Sequence, residues 1–205
     1  MAELADLVEP ATTAVLCMEM QRGVVGDLAL FPQAADAARE TGLIERAASL
    51  FTAARAADIR VVHCIAGFRR DRAGSFLNMP FVNQLLENPD HLIAGSPTAE
   101  VVPELWDPER DVAVGRLHGI APWADTSLDS MLRSLAVTTL VVTGVSLNRG
   151  IIGMTMGAVD RNYRVVIPTD AVAGYPADYA RLVIEHTLAA LAWLTTTDEL
   201  VTTWA

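Results

Sequence analysis

Five short stretches carry apolar and β-branched residues without polar alternation: TTAVLCME at 12–19, IRVVHCI at 59–65, DVAVG at 111–115, TLVVT at 139–143 and YRVVIPT at 163–169. Such runs mark strands of a parallel sheet covered on both faces. Between them, apolar positions return every three or four residues. Ala38, Ile44, Ala47, Ala48, Phe51 and Ala54 do so across 35–57, Leu128, Met131, Leu132 and Leu135 across 126–135, and Tyr179, Leu182, Val183, His186, Ala190 and Leu194 across 176–194. Each set predicts a helix with one buried face. Residues 149–161, with Gly153, Gly157 and Ala158, predict another helix lying close on the sheet, and Glu199 to Trp204 reads as a short sixth strand. Strands alternating with helices predict a Rossmann-like, three-layer α/β/α fold around a mostly parallel six-stranded sheet. One domain is expected to cover 1–205. Its periodicity is lost at about 67–108, where Gly74, Pro80, Pro89, Gly95, Pro97, Pro103 and Pro108 punctuate an irregular insertion, read as a lid, an assembly arm, or both.

In such sheets ligands gather beyond the carboxyl ends of the strands. Three of those ends carry chemistry: Glu19 after the first strand, Arg116 after the third, and the turn from Ser146 to Gly150 after the fourth. Asn148 reads as the N-cap of the next helix. Arg149 stands at the helix start, where the dipole disfavours a cation, so it is a candidate for meeting an anionic ligand or a neighbouring subunit. His63 and His118 could meet at this edge and His91 lies in the insertion, but their spacing fits no metal-ligand motif, and no metal or other cofactor is expected.

Charge and composition narrow the partners. A formal net charge of −10 repels polyanions, so nucleic acid is not expected. MAELADLVEP shows no positively charged leader, and no apolar run approaches the roughly 20 residues that span a bilayer, which predicts a cytoplasmic protein with no membrane partner. Cys17 and Cys64 sit in apolar runs as buried thiols. All 15 basic residues are arginine, and the absence of lysine excludes Schiff-base chemistry and a phosphate-loop lysine.

The runs AVLCMEMQRG, LVVTGVSLNRGI and RVVIPTDAVAG, with WADTSLDSMLRSLAVTT before the second, resemble the isochorismatase-like hydrolase superfamily, which includes cysteine amidohydrolases such as nicotinamidase. The resemblance extends from about Thr12 to Trp204. It implies an aspartate ending strand 1, a lysine after strand 3 and, in the amidohydrolase branch, a cysteine after strand 4. Those positions fall here on Glu19, on Arg116 or Leu117, and on Gly150. The resemblance also implies a cis peptide between Val145 and Ser146 and a dimer or larger homo-oligomer. Ser146, Arg149, Trp123 and His118 are the candidate substrate-binding residues.

Gly150 cannot form an acyl-enzyme. Family members that resemble true isochorismatases carry glycine there and cleave a vinyl ether, with the strand-1 carboxyl as acid and water as nucleophile. The first expectation is therefore a hydrolase of a small carboxylated metabolite, with Glu19 as an acid whose proton affinity is raised by burial and Arg116 as the anchor. The alternative is a non-catalytic relative in which Glu19 and Arg116 form a satisfied salt bridge and the fold serves ligand binding or assembly. A third reading recruits Cys64 as nucleophile.

Overall fold

The computed structural model describes residues 3–75 and 78–205. Strands β1 (Thr13–Met18), β2 (Arg60–Ala66), β3 (Val112–Arg116), β4 (Thr139–Val145), β5 (Arg164–Pro168) and β7 (Trp193–Thr195) lie in the order β3-β2-β1-β4-β5-β7, and a two-residue β6 (Val172–Ala173) pairs with β4. Every pairing in the sheet is parallel. The strand β1 explains the unbroken apolar runs. Val15 and Cys17 face one core and Ala14, Leu16 and Met18 the other, so both sides of the pleat are covered. Helices α1 (Leu4–Leu7), α2 (Pro32–Glu40), α3 (Leu43–Ala56) and α8 (Thr197–Thr203) cover the first side; α5 (Leu128–Ser134), α6 (Ile152–Asp160) and α7 (Ala177–His186) cover the second. This is the predicted three-layer α/β/α architecture. Among the described residues no helix is long and apolar enough to cross a membrane.

Three predicted boundaries move. The helix expected over 35–57 is two helices, because Gly42 adopts φ +63 between α2 and α3. The helix expected to run to residue 194 ends at His186, and the sixth strand of the main path is Trp193–Thr195. Glu199 to Trp204, read as a strand, belongs mostly to α8. Thr196 accepts from the Glu199 amide while the Glu199 side chain accepts from the Thr196 amide, a capping box that starts a helix there. Asn148 is not a helix cap either: a wide π-turn, Leu147–Ile151, intervenes before α6 begins.

The carboxyl edge is shaped by backbone. Gly144 takes φ +103, and a Cβ there would lie 2.8 Å from the Met18 nitrogen on the adjacent strand, so only glycine fits. Glu19 leaves β1 at φ +52, a left-handed conformation uncommon for a residue with a side chain, and its amide still donates to Cys64 O at 3.0 Å. The Val145–Ser146 peptide is cis.

The insertion contains α4 (Pro80–Leu86) and is tied to the sheet by Gln21. This fully buried amide donates to Ala66 O and Ala99 O, each at 2.8 Å, and accepts from the Ala66 amide at 2.8 Å. One side chain thus joins the end of β2 to the far limb of the insertion. Gln21→Leu orphans three buried backbone groups, and the expected cost is about 3 kcal/mol. A urea midpoint matching the wild type would contradict this role.

Candidate active site

A cavity of about 110 Å³ lies beyond the strand ends, room for several waters or a small metabolite. Glu19, Arg116, Ser146 and Gly150 line it from the strand ends, Phe31 from just before α2, and Phe68, Phe81, Leu85, His91 and Leu92 from the insertion. The insertion therefore supplies most of an apolar enclosure over a polar base.

Glu19 and Arg116 meet at that base. The guanidinium donates through Nη2 to Glu19 Oε1 and through Nε to Gly119 O at 3.2 Å. Its Nη1 is buried with no hydrogen-bond partner among the described residues. An unpaired buried donor costs about 1–3 kcal/mol, so an acceptor supplied by a ligand or water at this point is favoured. Leu117, the other candidate for the lysine position, is 39% exposed and does not line the cavity.

Gly150 borders the cavity from the π-turn. A Cβ on it would stand 2.9 Å from Met18 Cε, 3.1 Å from Met18 Cγ and 3.1 Å from Val145 O. The flexible Met18 thioether thus packs where a side chain at position 150 would begin. The sequence reading missed Met18, although its place at the end of β1, beside the turn, was legible from the alternation of that strand.

Arg149 reaches the cavity between two aromatic rings. Its guanidinium carbon is 4.3 Å from the centroid of Phe81 and 5.4 Å from that of Tyr175, and Nη2 donates to the Tyr175 hydroxyl at 2.6 Å. Nε donates weakly to Ser146 Oγ at 3.4 Å. A cation unfavourable at a helix start is held here by ring faces and a phenol. Neither Phe81 nor Tyr175 was singled out from sequence, because only folding brings Phe81 of the insertion and Tyr175 after β6 to this turn.

His118 lines the cavity and its Nε2 lies 3.2 Å from Asp125 Oδ2. Trp123 does not line the cavity. Its ring stacks on Tyr163 with centroids 6.0 Å apart, its Nε1 donates to Met154 O at 2.9 Å, and it packs over Gly157. The family resemblance makes it a candidate substrate-binding residue, but its ring fills the gap left by that helical glycine.

His63 points to the opposite core, where Nε2 lies 3.0 Å from Asp111 Oδ2 and the ring meets Phe51 and Trp106 edge-on. Asp111 also accepts from Arg55 Nε at 3.0 Å and Nη2 at 2.6 Å. Burial disfavours this carboxylate, yet hydrogen bonds from His63, Arg55 and the Asp107 amide hold it at about 2. It is a structural network that ties α3 to β3. Cys64 is fully buried, and burial pushes its thiol up to about 12, with Arg116 opposing and Glu19 adding to the rise. Such a thiol is no nucleophile near neutral pH. Burial likewise raises Cys17, which sits in the opposite core. Among the described residues no group of three His, Cys, Asp or Glu could hold a metal ion.

His91 is 4% exposed and lines the cavity. Burial, together with the Arg72 guanidinium, pushes its imidazole down from 6.5 to about 4. Between those values the unfolded chain binds more protons than the folded one, so this group removes stability as pH falls from about 6.5 to about 4. His91→Gln is expected to lose less stability than the wild type between pH 6.5 and 4.5, measured by urea unfolding at both. Parallel losses in the two proteins would contradict the linkage.

Fold and site together define an α/β/α protein with a small-molecule recess at the carboxyl edge of a parallel sheet. The chain belongs to the isochorismatase family, a family of hydrolases: the Isochorismatase domain model matches residues 13–199. Among solved structures it is similar to a cysteine hydrolase from Pseudomonas syringae pv. phaseolicola (26% identity, TM-score 0.80, 97% of this chain and 94% of that one). An isochorismatase family protein from Desulfovibrio vulgaris is also similar (25% identity, TM-score 0.79, covering 92% and 96%). N-carbamoylsarcosine amidase from Thermoplasma acidophilum shares the fold (21% identity, TM-score 0.71, covering 91% and 97%). No curated protein matches the sequence significantly.

Proposed function

We propose that this protein hydrolyses a small carboxylated metabolite by acid-assisted water addition to a vinyl ether, with Glu19 as proton donor and Arg116 as carboxylate anchor. The observation that supports this most is the contact of these two groups at the base of an apolar recess beside Gly150, where no acyl-enzyme can be built. Without ligand, Glu19 is held by Arg116. A substrate carboxylate competes for the guanidinium, and two carboxylates sharing one cation favour protonation of one of them. Substrate binding therefore loads the acid.

The proton then passes to the terminal methylene of the vinyl ether, leaving positive charge on the ether carbon. Water adds to that carbon, and the hemiketal splits into a ketone and an alcohol. Glu19 recovers its proton from the added water. Removal of bulk water by Phe31, Phe68 and Phe81 strengthens each electrostatic contact. On this reading the site takes no cofactor and the protein works in the cytoplasm. Met156 and Val159 on α6, with Tyr179 and Leu182 on α7, are exposed apolar residues that favour a homo-oligomer.

The closed Glu19–Arg116 pair also favours a second reading, a ligand-binding relative without turnover. A hydrolysis screen of carboxylated vinyl ethers and small amides, run beside Glu19→Gln, separates the two. Turnover of a vinyl ether lost by at least about 100-fold in the variant supports the acid role. Equal turnover in both proteins rules it out, and binding without turnover in either supports the second reading.

A further inference from the structure

Within the reading just given, on which this inference rests, the anchor and the acid both come from strand ends. Among the polar groups of the cavity that this reading does not use, one is delivered by the insertion. His91 comes from the insertion, lines the cavity and is 4% exposed. Its backbone amide is satisfied by Asn88 O at 3.2 Å, and its ring is fixed edge-on to Phe31 with centroids 6.4 Å apart and planes at 79°. Phe31 in turn packs on Phe81, 5.7 Å between centroids, and Phe81 on the Arg149 guanidinium. The imidazole is therefore oriented by packing, and no hydrogen bond to either ring nitrogen is made among the described residues. A polar ring that borders a ligand-sized recess with no protein partner is completed by what enters that recess.

We infer that His91 is a specificity-determining residue, which hydrogen-bonds an uncharged hydroxyl on the part of the substrate that faces the insertion. Three observations choose this chemistry. A neutral imidazole offers one donor and one acceptor, the complement of a hydroxyl, which also has both. Arg72 stands on the same insertion and opposes a charged ring, so a second carboxylate is not what His91 recognises. Anionic groups are already provided for by Arg116 at the base and Arg149 at the turn.

Benzoate and the three monohydroxybenzoates are suitable probes, since each is a flat carboxylate and they differ only in the hydroxyl. Their dissociation constants are measured by calorimetry with the wild-type protein, His91→Phe, His91→Asn and Arg116→Met. At least one hydroxy isomer is expected to bind the wild type about tenfold more tightly than benzoate, the worth of one well-made hydrogen bond. That advantage is expected to vanish in His91→Phe and to survive in part in His91→Asn, which keeps a donor and an acceptor. Benzoate affinity within about twofold of wild type shows that His91→Phe remains folded. Benzoate binding that depends on Arg116 with no isomer preferred, or a preference that persists in His91→Phe, overturns the role of His91 and leaves the anchor standing. Binding of none of the acids overturns both.

Discussion

Gly144→Ala is expected to destabilise the protein by about 4 kcal/mol or more, a drop in melting temperature of about 10–15 °C. Two independent costs meet at this residue. An alanine does not reach φ +103 without strain, and its Cβ would press on the backbone of Met18, which cannot retreat because β1 is hydrogen-bonded on both sides. The neighbour is main chain, so no rotamer change relieves it. The same residue pair sits directly before Glu19 and before the cis turn at Ser146, and any relaxation therefore moves the site. Any protein that folds is expected to have lost carboxylate binding along with stability. A melting temperature within about 2 °C of wild type would show that the glycine is dispensable.

Arg116→Met is expected to weaken carboxylate binding by about 100-fold, the size of a buried charge-assisted contact. Methionine keeps much of the side-chain volume, and Glu19, about a fifth exposed, can hydrate when its partner is gone, so the fold should tolerate the change. Arg116→Lys keeps the charge and is expected to stay within about tenfold of wild type, losing only the forked geometry of the guanidinium. Calorimetric titration with benzoate checks both. Equal affinity in Arg116→Met would mean that the anion, if bound, is held elsewhere, with Arg149 the next group to test.

The fold was legible because β1, β2, β4 and β5 announce burial on both faces through runs such as VVHC and LVVT. Errors fell where local chemistry competes with hydrophobic pattern. Leu200, Val201 and Trp204 look strand-like, yet the Thr196–Glu199 capping box turns them into α8. Gly42 cuts one apolar periodicity into two helices that share a face. The site was readable as far as strand ends carry it: Glu19, Arg116, Ser146, Arg149 and Gly150 all border the recess. What sequence could not show is that Phe81, His91 and Tyr175, which stand on no strand end, converge on the recess, nor the packing of Trp123 over Gly157. Met18 is the intermediate case, a core residue by pattern whose side chain sets how much room Gly150 leaves.

Isotope placement tests the proposed chemistry most directly. A carboxylated vinyl ether is hydrolysed by the protein in D₂O and, separately, in water enriched in ¹⁸O. The account expects one deuterium in the methyl group formed from the methylene, ¹⁸O in the new carbonyl, an unlabelled alcohol oxygen, and no mass added to the protein during turnover. Label in the alcohol, or a covalent adduct on the protein, would contradict it.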